Sequence, residues 1–215
     1  MSRLIFTAVA ILSFLSSSFP AAAQEELTPL FDGKTLAGFD RHNGTASYAV
    51  EEGQIVGRTS EGSPNSFLCT QKEYGDFELT FEVKVDDELN SGVQIRSSVC
   101  EKRKGRVHGP QVEIATNGTA GFIYGEALET GWLSEDRSDA DAQAAFQKGE
   151  WNKYHVVAVG DRIRTWVNNV PVADLHDTKS EMPRGFIALQ VHGIGRGEGP
   201  YEVRWRNLML KELNR

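Results

Sequence analysis

The chain has 215 residues, with Lys+Arg 23 against Asp+Glu 30 and a formal net charge of −7. Its 40% hydrophobic and 25% charged composition is that of an ordinary globular domain, which excludes a disordered, collagen-like or polytopic membrane protein. The acidic balance argues against a nucleic-acid partner, which would call for a basic face.

Met1–Ala23 reads as a secretory signal peptide. Arg3 supplies the positive start and Leu4–Leu15 the apolar stretch, which is too short to span a bilayer. Ser16–Ser18 and Pro20 break it, and Ala21, Ala22 and Ala23 precede an expected cut before Gln24. The expected location is periplasmic or secreted, with no membrane attachment after cleavage. Residues 24–215 are expected to form a single domain. Cys69 and Cys100 allow one disulfide in an oxidising compartment, with two unpaired thiols as the alternative.

Period-2 alternation then recurs along the chain, and long helical periodicity does not. Ser47–Val56 reads as two strand pieces around a turn at Glu51, Glu52 and Gly53. Phe77–Val85 puts Phe77, Leu79, Phe81, Val83 and Val85 on one face and polar residues on the other. Ser91–Ser98 and Gln111–Ala115 alternate in the same way. The stretch 126–150 is a long connection, in which Ser138 and Asp141 resemble a capping box for a short helix over Ala140–Phe146 ended by Gly149. Tyr154–Val159, Arg162–Val167, Phe186–His192 and Tyr201–Leu210 complete the strands. Gly160-Asp161 and Asn168-Asn169 sit at hairpin spacing between strands. Eight or more short antiparallel strands predict an all-β fold, a two-sheet jelly-roll sandwich.

The polar partners of the buried residues are the informative ones. Val93 and Ile95 are set against Gln94 and Arg96; Val112 and Ile114 against Gln111 and Glu113; Leu189 and Val191 against Gln190 and His192. If these strands share a sheet, one face carries a guanidinium, a carboxylate, an imidazole and several amides. Each residue also has a plain reading as a solvent-face position, and Glu113 with Arg96 could be a surface ion pair of little energetic weight. Tyr124 and Trp132 flank the long connection, where they could wall a saccharide site or pack beneath the loop. The strand at Glu113 continues through Ala115 and Asn117 and shows one carboxylate, so no retaining glycosidase pair is visible. No cofactor motif is evident. A divalent metal such as calcium is conceivable at Asp86, Asp87 and Glu88, or near His192 and Glu113. The sequence sets no oligomeric state.

An ordered set of motifs resembles the 3-keto-disaccharide hydrolase family, whose members have a concanavalin A-like jelly roll. The set runs through Leu30-Phe31-Asp32-Gly33-Lys34-Thr35-Leu36, Phe77-Glu78-Leu79, Asn90-Ser91-Gly92-Val93 and Arg96. It continues through Gly149-Glu150-Trp151-Asn152, Trp166-Val167-Asn168-Asn169-Val170, Ala188-Leu189-Gln190-Val191-His192-Gly193 and Trp205-Arg206-Asn207-Leu208. Asn169 stands where the family more often has Gly. The resemblance implies cleavage of glycosides already oxidised at C3. The ketone acidifies the C2 hydrogen, a base removes it, the aglycone leaves from C1, and water adds to the enone. It implies a small-molecule saccharide as the partner. His192 suits the base, Glu113 could orient it or act as the base itself, and Arg96 or Gln190 could hold the keto oxygen. Gln111, Gln94, Tyr124 and Trp132 would contact the sugar. The rival expectation is a non-catalytic, lectin-like carbohydrate-binding module, since fold alone does not fix function.

Overall fold

The computed structural model describes residues 26–101 and 105–213, so the predicted signal peptide lies outside the described residues. Among the described residues, fourteen strands and one short helix follow one another as β1 (Thr28–Pro29), β2 (Phe39–Asn43), β3 (Ser47–Glu51), β4 (Gln54–Arg58), β5 (Ser66–Tyr74), β6 (Phe77–Val85), β7 (Ser91–Cys100), β8 (Arg106–Ile114), β9 (Ile123–Glu126), α1 (Ala140–Ala144), β10 (Asn152–Val159), β11 (Arg162–Val167), β12 (Val170–His176), β13 (Gly185–Val191) and β14 (Glu202–Glu212). They form two antiparallel sheets. The larger has the order β12-β11-β10-β6-β14-β4-β3, with β1 also on β14, and the smaller has the order β2-β5-β13-β7-β8-β9. This is the all-β, two-sheet sandwich that the alternation predicts.

The core between the sheets is built from the odd positions of β6 and their counterparts. Leu79, Phe81 and Val83 from the larger sheet and Val93, Ile95, Val112, Ile114, Ile187 and Leu189 from the smaller belong to one buried cluster. Tyr154 and Trp205 lie fully within it. Burying side chains of this size stabilises the sandwich by roughly 1.5–3 kcal/mol each, before the loss of chain entropy is counted.

The helix is shorter than predicted and starts from a different cap. Asp139, not Ser138, accepts the Ala142 N–H, because Ser138 is turned back onto Asp136. The supposed connection 126–150 is also ordered at its beginning, since β9 pairs with β8 and Tyr124 bridges to Trp132.

Two irregularities shape the smaller sheet. The β7–β8 register slips between Gln94 and Ser98. Ile95 faces the core while Gln94 and Ser97 share the outer side, so Arg96 is the extra residue of a β-bulge, with φ of 48°. Gly185 lies against this bulge; a Cβ there would sit 2.5 Å from the Arg96 carbonyl carbon. The start of β8 also leans over the outer face of the sheet, and the Val107 N–H reaches Asn43 of β2 at 2.9 Å. The arch covers a small cluster of Phe67, Cys69, Phe186 and Ala188. That is why this outer face is buried rather than wet.

Cys69 and Cys100 are both unpaired, which decides the disulfide expectation in favour of free thiols. Among the described residues no helix is long and apolar enough to cross a membrane.

Candidate functional site

On the outer face of the smaller sheet, next to the arch, lies a cavity of about 410 Å³. Its floor comes from strand parity. Gln94 pairs across β7–β8 with Gln111, Gly92 with Glu113, and Gln190 on β13 with Gly92. Gly92 carries no side chain, so the long amides on either side close over it. Gln111 Oε1 accepts from Gln94 Nε2 at 2.6 Å and from Gln190 Nε2 at 2.8 Å. Gln111 Nε2 donates onward to Glu113 Oε2 at 3.0 Å, and Gln94 Oε1 is held by Ser97 Oγ at 2.8 Å. Gln94 and Gln190 are fully buried, and Gln94 is satisfied at both ends, by Gln111 and Ser97. Gln190 Oε1 is buried without a hydrogen-bond partner among the described residues.

Two carboxylates border this amide floor. Glu113 is 6% exposed and accepts from Asn90 Nδ2 at 2.5 Å in addition to Gln111. The Tyr154 hydroxyl donates to its backbone carbonyl at 3.2 Å, which ties this end of β8 to the larger sheet. Burial pushes the Glu113 carboxyl up, the two amide donors pull it down, and the neighbouring Glu126 charge pushes it up again. Glu126, at the end of β9, is 7% exposed. Gln190 Nε2 lies 3.4 Å from its Oε2, and Arg106 Nη2 of the arch lies 3.5 Å from its Oε1. Burial raises the Glu126 carboxyl as well, against the pull of Arg106 and His192 and a hydrogen bond from Asn65.

The mouth is polar on one side and aromatic on the other. His192 sits just past the end of β13 and is exposed. Its Nδ1 is 2.8 Å from the Gly193 carbonyl; a carbonyl can only accept, so Nδ1 is the donor and Nε2 remains for a ligand. Asn65 Oδ1 holds the Gly193 N–H at 2.9 Å. Opposite, Tyr124 and Trp132 meet edge to face at 5.2 Å, and the Arg137 guanidinium covers one Trp132 face at 4.3 Å.

Gln94, Gln111, Glu113, Gln190, Tyr124, Trp132 and His192 therefore gather in or under one cavity. Arg96 does not. It is 2% exposed and spans to the β5–β6 turn between the sheets and the β10–β11 turn of the larger one, with Nε on Gly75 O at 2.7 Å, Nη1 on Gly160 O at 2.5 Å and Nη2 on Asp76 Oδ1 at 3.1 Å. The bulge turns it out of the polar row that simple alternation assigns. Conversely, Asn65, Asn90 and Glu126 line the cavity and were missed. Glu126 had a local signal: in Ile123-Tyr124-Gly125-Glu126 it shares parity with Tyr124, as a β9 strand would require.

No hydrogen bond joins Glu113 to His192 among the described residues, so the orienting contact considered for that pair is absent. Nor does any group of three or more His, Cys, Asp and Glu side chains sit in metal-binding proximity among those residues. Asp86 instead accepts the Glu202 N–H at 2.7 Å. A second hollow of about 460 Å³ lies between β12 and residues 133–139. Its carboxylates already serve their own surroundings: Asp139 caps α1, Asp174 pairs with Arg162, and Glu135 pairs with Lys179.

Solved structures with this fold include a candidate glycosyl hydrolase from Parabacteroides distasonis, 19% identical, with TM-score 0.62 over 87% of this chain and 94% of that one. The carbohydrate-binding module CBM66 from Bacillus subtilis is 18% identical, with TM-score 0.57 over 81% and 96%. The exoplasmic/lumenal domain of VIP36, solved with Ca2+ and Man3GlcNAc, is 11% identical, with TM-score 0.52 over 89% and 92%. No curated protein matches the chain significantly. The 3-keto-alpha-glucoside-1,2-lyase-like domain matches residues 26–211, nearly all of the described chain, and the protein belongs to that family.

Proposed function

We propose that the protein cleaves 3-keto-glycosides, by removal of the C2 proton, elimination of the aglycone from C1 and hydration of the resulting enone. The carrying observation is Glu113. It is a carboxylate on a rigid strand, desolvated and gripped at both oxygens by the Asn90 and Gln111 amides, at the edge of a cavity of sugar size. Burial raises its proton affinity, as a general base acting near neutral pH requires. Glu113 is the group assigned to the C2 proton. Gln111 Nε2 and Asn90 Nδ2 donate beside it, where negative charge develops on the C3 oxygen. Arg96 is replaced in that role, being committed to the backbone turns. His192 Nε2 takes a sugar hydroxyl at the mouth, and Tyr124 and Trp132 border the ring or aglycone.

The test is incubation with 3-keto-glucosides beside their parent glucosides, assayed for released aglycone. Release from the ketones alone supports the reading. Release from neither, with saturable glycan binding, supports the other reading of the site, a carbohydrate-binding module. That alternative draws on the Tyr124–Trp132 wall and the likeness to CBM66. Export to the periplasm or medium is part of the proposal; a mature N-terminus at Gln24 would support it.

A further inference from the structure

The two carboxylates of the cavity are held differently. Glu113 accepts two amide hydrogen bonds, at 2.5 and 3.0 Å, which favour its anion. Glu126 is contacted by Gln190 Nε2 at 3.4 Å, by Arg106 Nη2, on a side chain that is 57% exposed, at 3.5 Å, and by a hydrogen bond from Asn65. Both carboxyls line one cavity, and Gln111 and Gln190 link them in series: Gln190 donates to Gln111 and to Glu126, and Gln111 donates to Glu113. Two desolvated carboxyls lining one cavity, the Glu126 charge raising the proton affinity of Glu113, favour a state in which one is ionised and the other carries a proton. The amide bonds to both Glu113 oxygens, at 2.5 and 3.0 Å, hold that residue as the anion and assign the proton to Glu126.

Resting on the 3-keto-glycoside reading, we propose that Glu126 is the second catalytic residue, the acid that protonates the departing glycosidic oxygen. The steps balance. Glu113 carboxylate takes the C2 proton; the C1–O bond breaks as the C1=C2 bond forms and the C3 ketone is restored. The Glu126 carboxyl gives its proton to the leaving oxygen, releasing the aglycone as an alcohol. In the second half Glu126 carboxylate takes a proton from water as its oxygen bonds to C1, and Glu113 returns its proton to C2. Both groups end as they began, and no co-reactant other than water is needed. His192 and Asn65 lie on the Glu126 side of the cavity, whereas Asn90 lies on the Glu113 side. The ring would therefore lie with C3 toward Asn90 and C1 toward Glu126.

The test compares two 3-keto-glucosides, one with a nitrophenol leaving group and one with methanol. Nitrophenolate leaves without protonation; methoxide does not. Read in single turnover as the aglycone-release step, which precedes hydration, Glu126→Gln is expected to lose roughly 100-fold or more on the methyl ketone, yet to stay within about threefold on the nitrophenyl ketone. Its nitrophenyl activity doubles as proof of folding. Equal loss on both substrates, or on neither, overturns the assignment. If Glu126→Gln does not fold, Glu126→Asp serves: its methyl-to-nitrophenyl ratio should drop by about tenfold or more, and an unchanged ratio overturns the role. Wild-type protein that releases aglycone from neither ketone overturns the underlying reading itself, and the role with it.

Discussion

The Gln111 carboxamide occupies the space over Gly92, where a Cβ would come within 2.4 Å of Gln111 Cδ. The absent side chain of one residue is thus the seat of another, and the whole amide floor converges there. Gly92→Ala is expected to push Gln111 off its bonds with Gln94, Gln190 and Glu113. With buried amides left unpaired, the cost is about 1–3 kcal/mol in stability. Cleavage of a 3-keto-glucoside should fall more steeply than stability does, because Glu113 loses a positioning donor. Paired denaturation and turnover measurements check this; a fall in stability alone would mean that the floor is not part of the site.

Alternation made this floor legible. Val93, Val112 and Leu189 are core residues, so their neighbours Gln94, Gln111 and Gln190 had to share the other face, and they do. Arg96 escaped because a bulge carries no dependable residue signature; at φ of 48° one would look for Gly or Asn, and the chain has Arg. Asn65 and Asn90 precede β5 and β7, and parity says nothing about where a loop side chain lands. Glu126 was hidden because β9 has only four residues and merges into a long irregular stretch. The arch of β8 over the sheet, which turns an outer face into a covered one, is a tertiary event with no local pattern.

Arg96 joins two turns, β5–β6 and β10–β11, rather than serving the cavity. Its guanidinium satisfies two backbone carbonyls and Asp76 while almost wholly buried. Arg96→Met should therefore cost about 3 kcal/mol or more in folding stability by leaving those acceptors unpaired. Turnover per folded molecule should change little. A variant that folds normally but is inactive would return Arg96 to the site.

Glu113 and Glu126 make folding pH-dependent in a defined direction. Burial raises both carboxyls above the ordinary value of 4.5. Between that value and the raised native one, the folded protein binds protons that the unfolded chain has released. The stability they contribute is complete below about pH 4.5 and is lost as pH rises through the native values. The stability of the parent relative to Glu113→Gln should accordingly decline as pH goes from acid to neutral. Denaturant titrations of both proteins across that range measure it, and a flat difference contradicts the burial argument.

The thiols should differ in reactivity. Cys69 lies in the cluster beneath the arch, where burial raises its thiol far above the ordinary range and suppresses the thiolate. Cys100, at the end of β7, is partly exposed. An alkylating reagent applied to folded protein should mark Cys100 and spare Cys69, as read by peptide mass. A reductant should leave the melting temperature unchanged, since no bridge is present.

Glu113 and His192 are separable by a substrate that cannot eliminate. A 3-keto 1,5-anhydro sugar can lose its C2 proton but has no aglycone to expel, its ring oxygen staying tethered, so C2–H exchange with heavy water reports the base alone. Glu113 is fixed from both sides on β8, whereas His192 stands on the loop beyond β13 with only its Nδ1 held. Proton removal from carbon demands the more rigid partner, because a small displacement of the base costs rate steeply. Glu113→Gln should slow exchange by roughly 10²–10⁴-fold. His192→Ala should leave exchange within a few-fold while raising KM for the cleavable ketone, as loss of a hydroxyl contact would. If the two variants trade behaviours, His192 is the base and Glu113 its complement, and the sugar lies in the cavity with C2 toward the mouth.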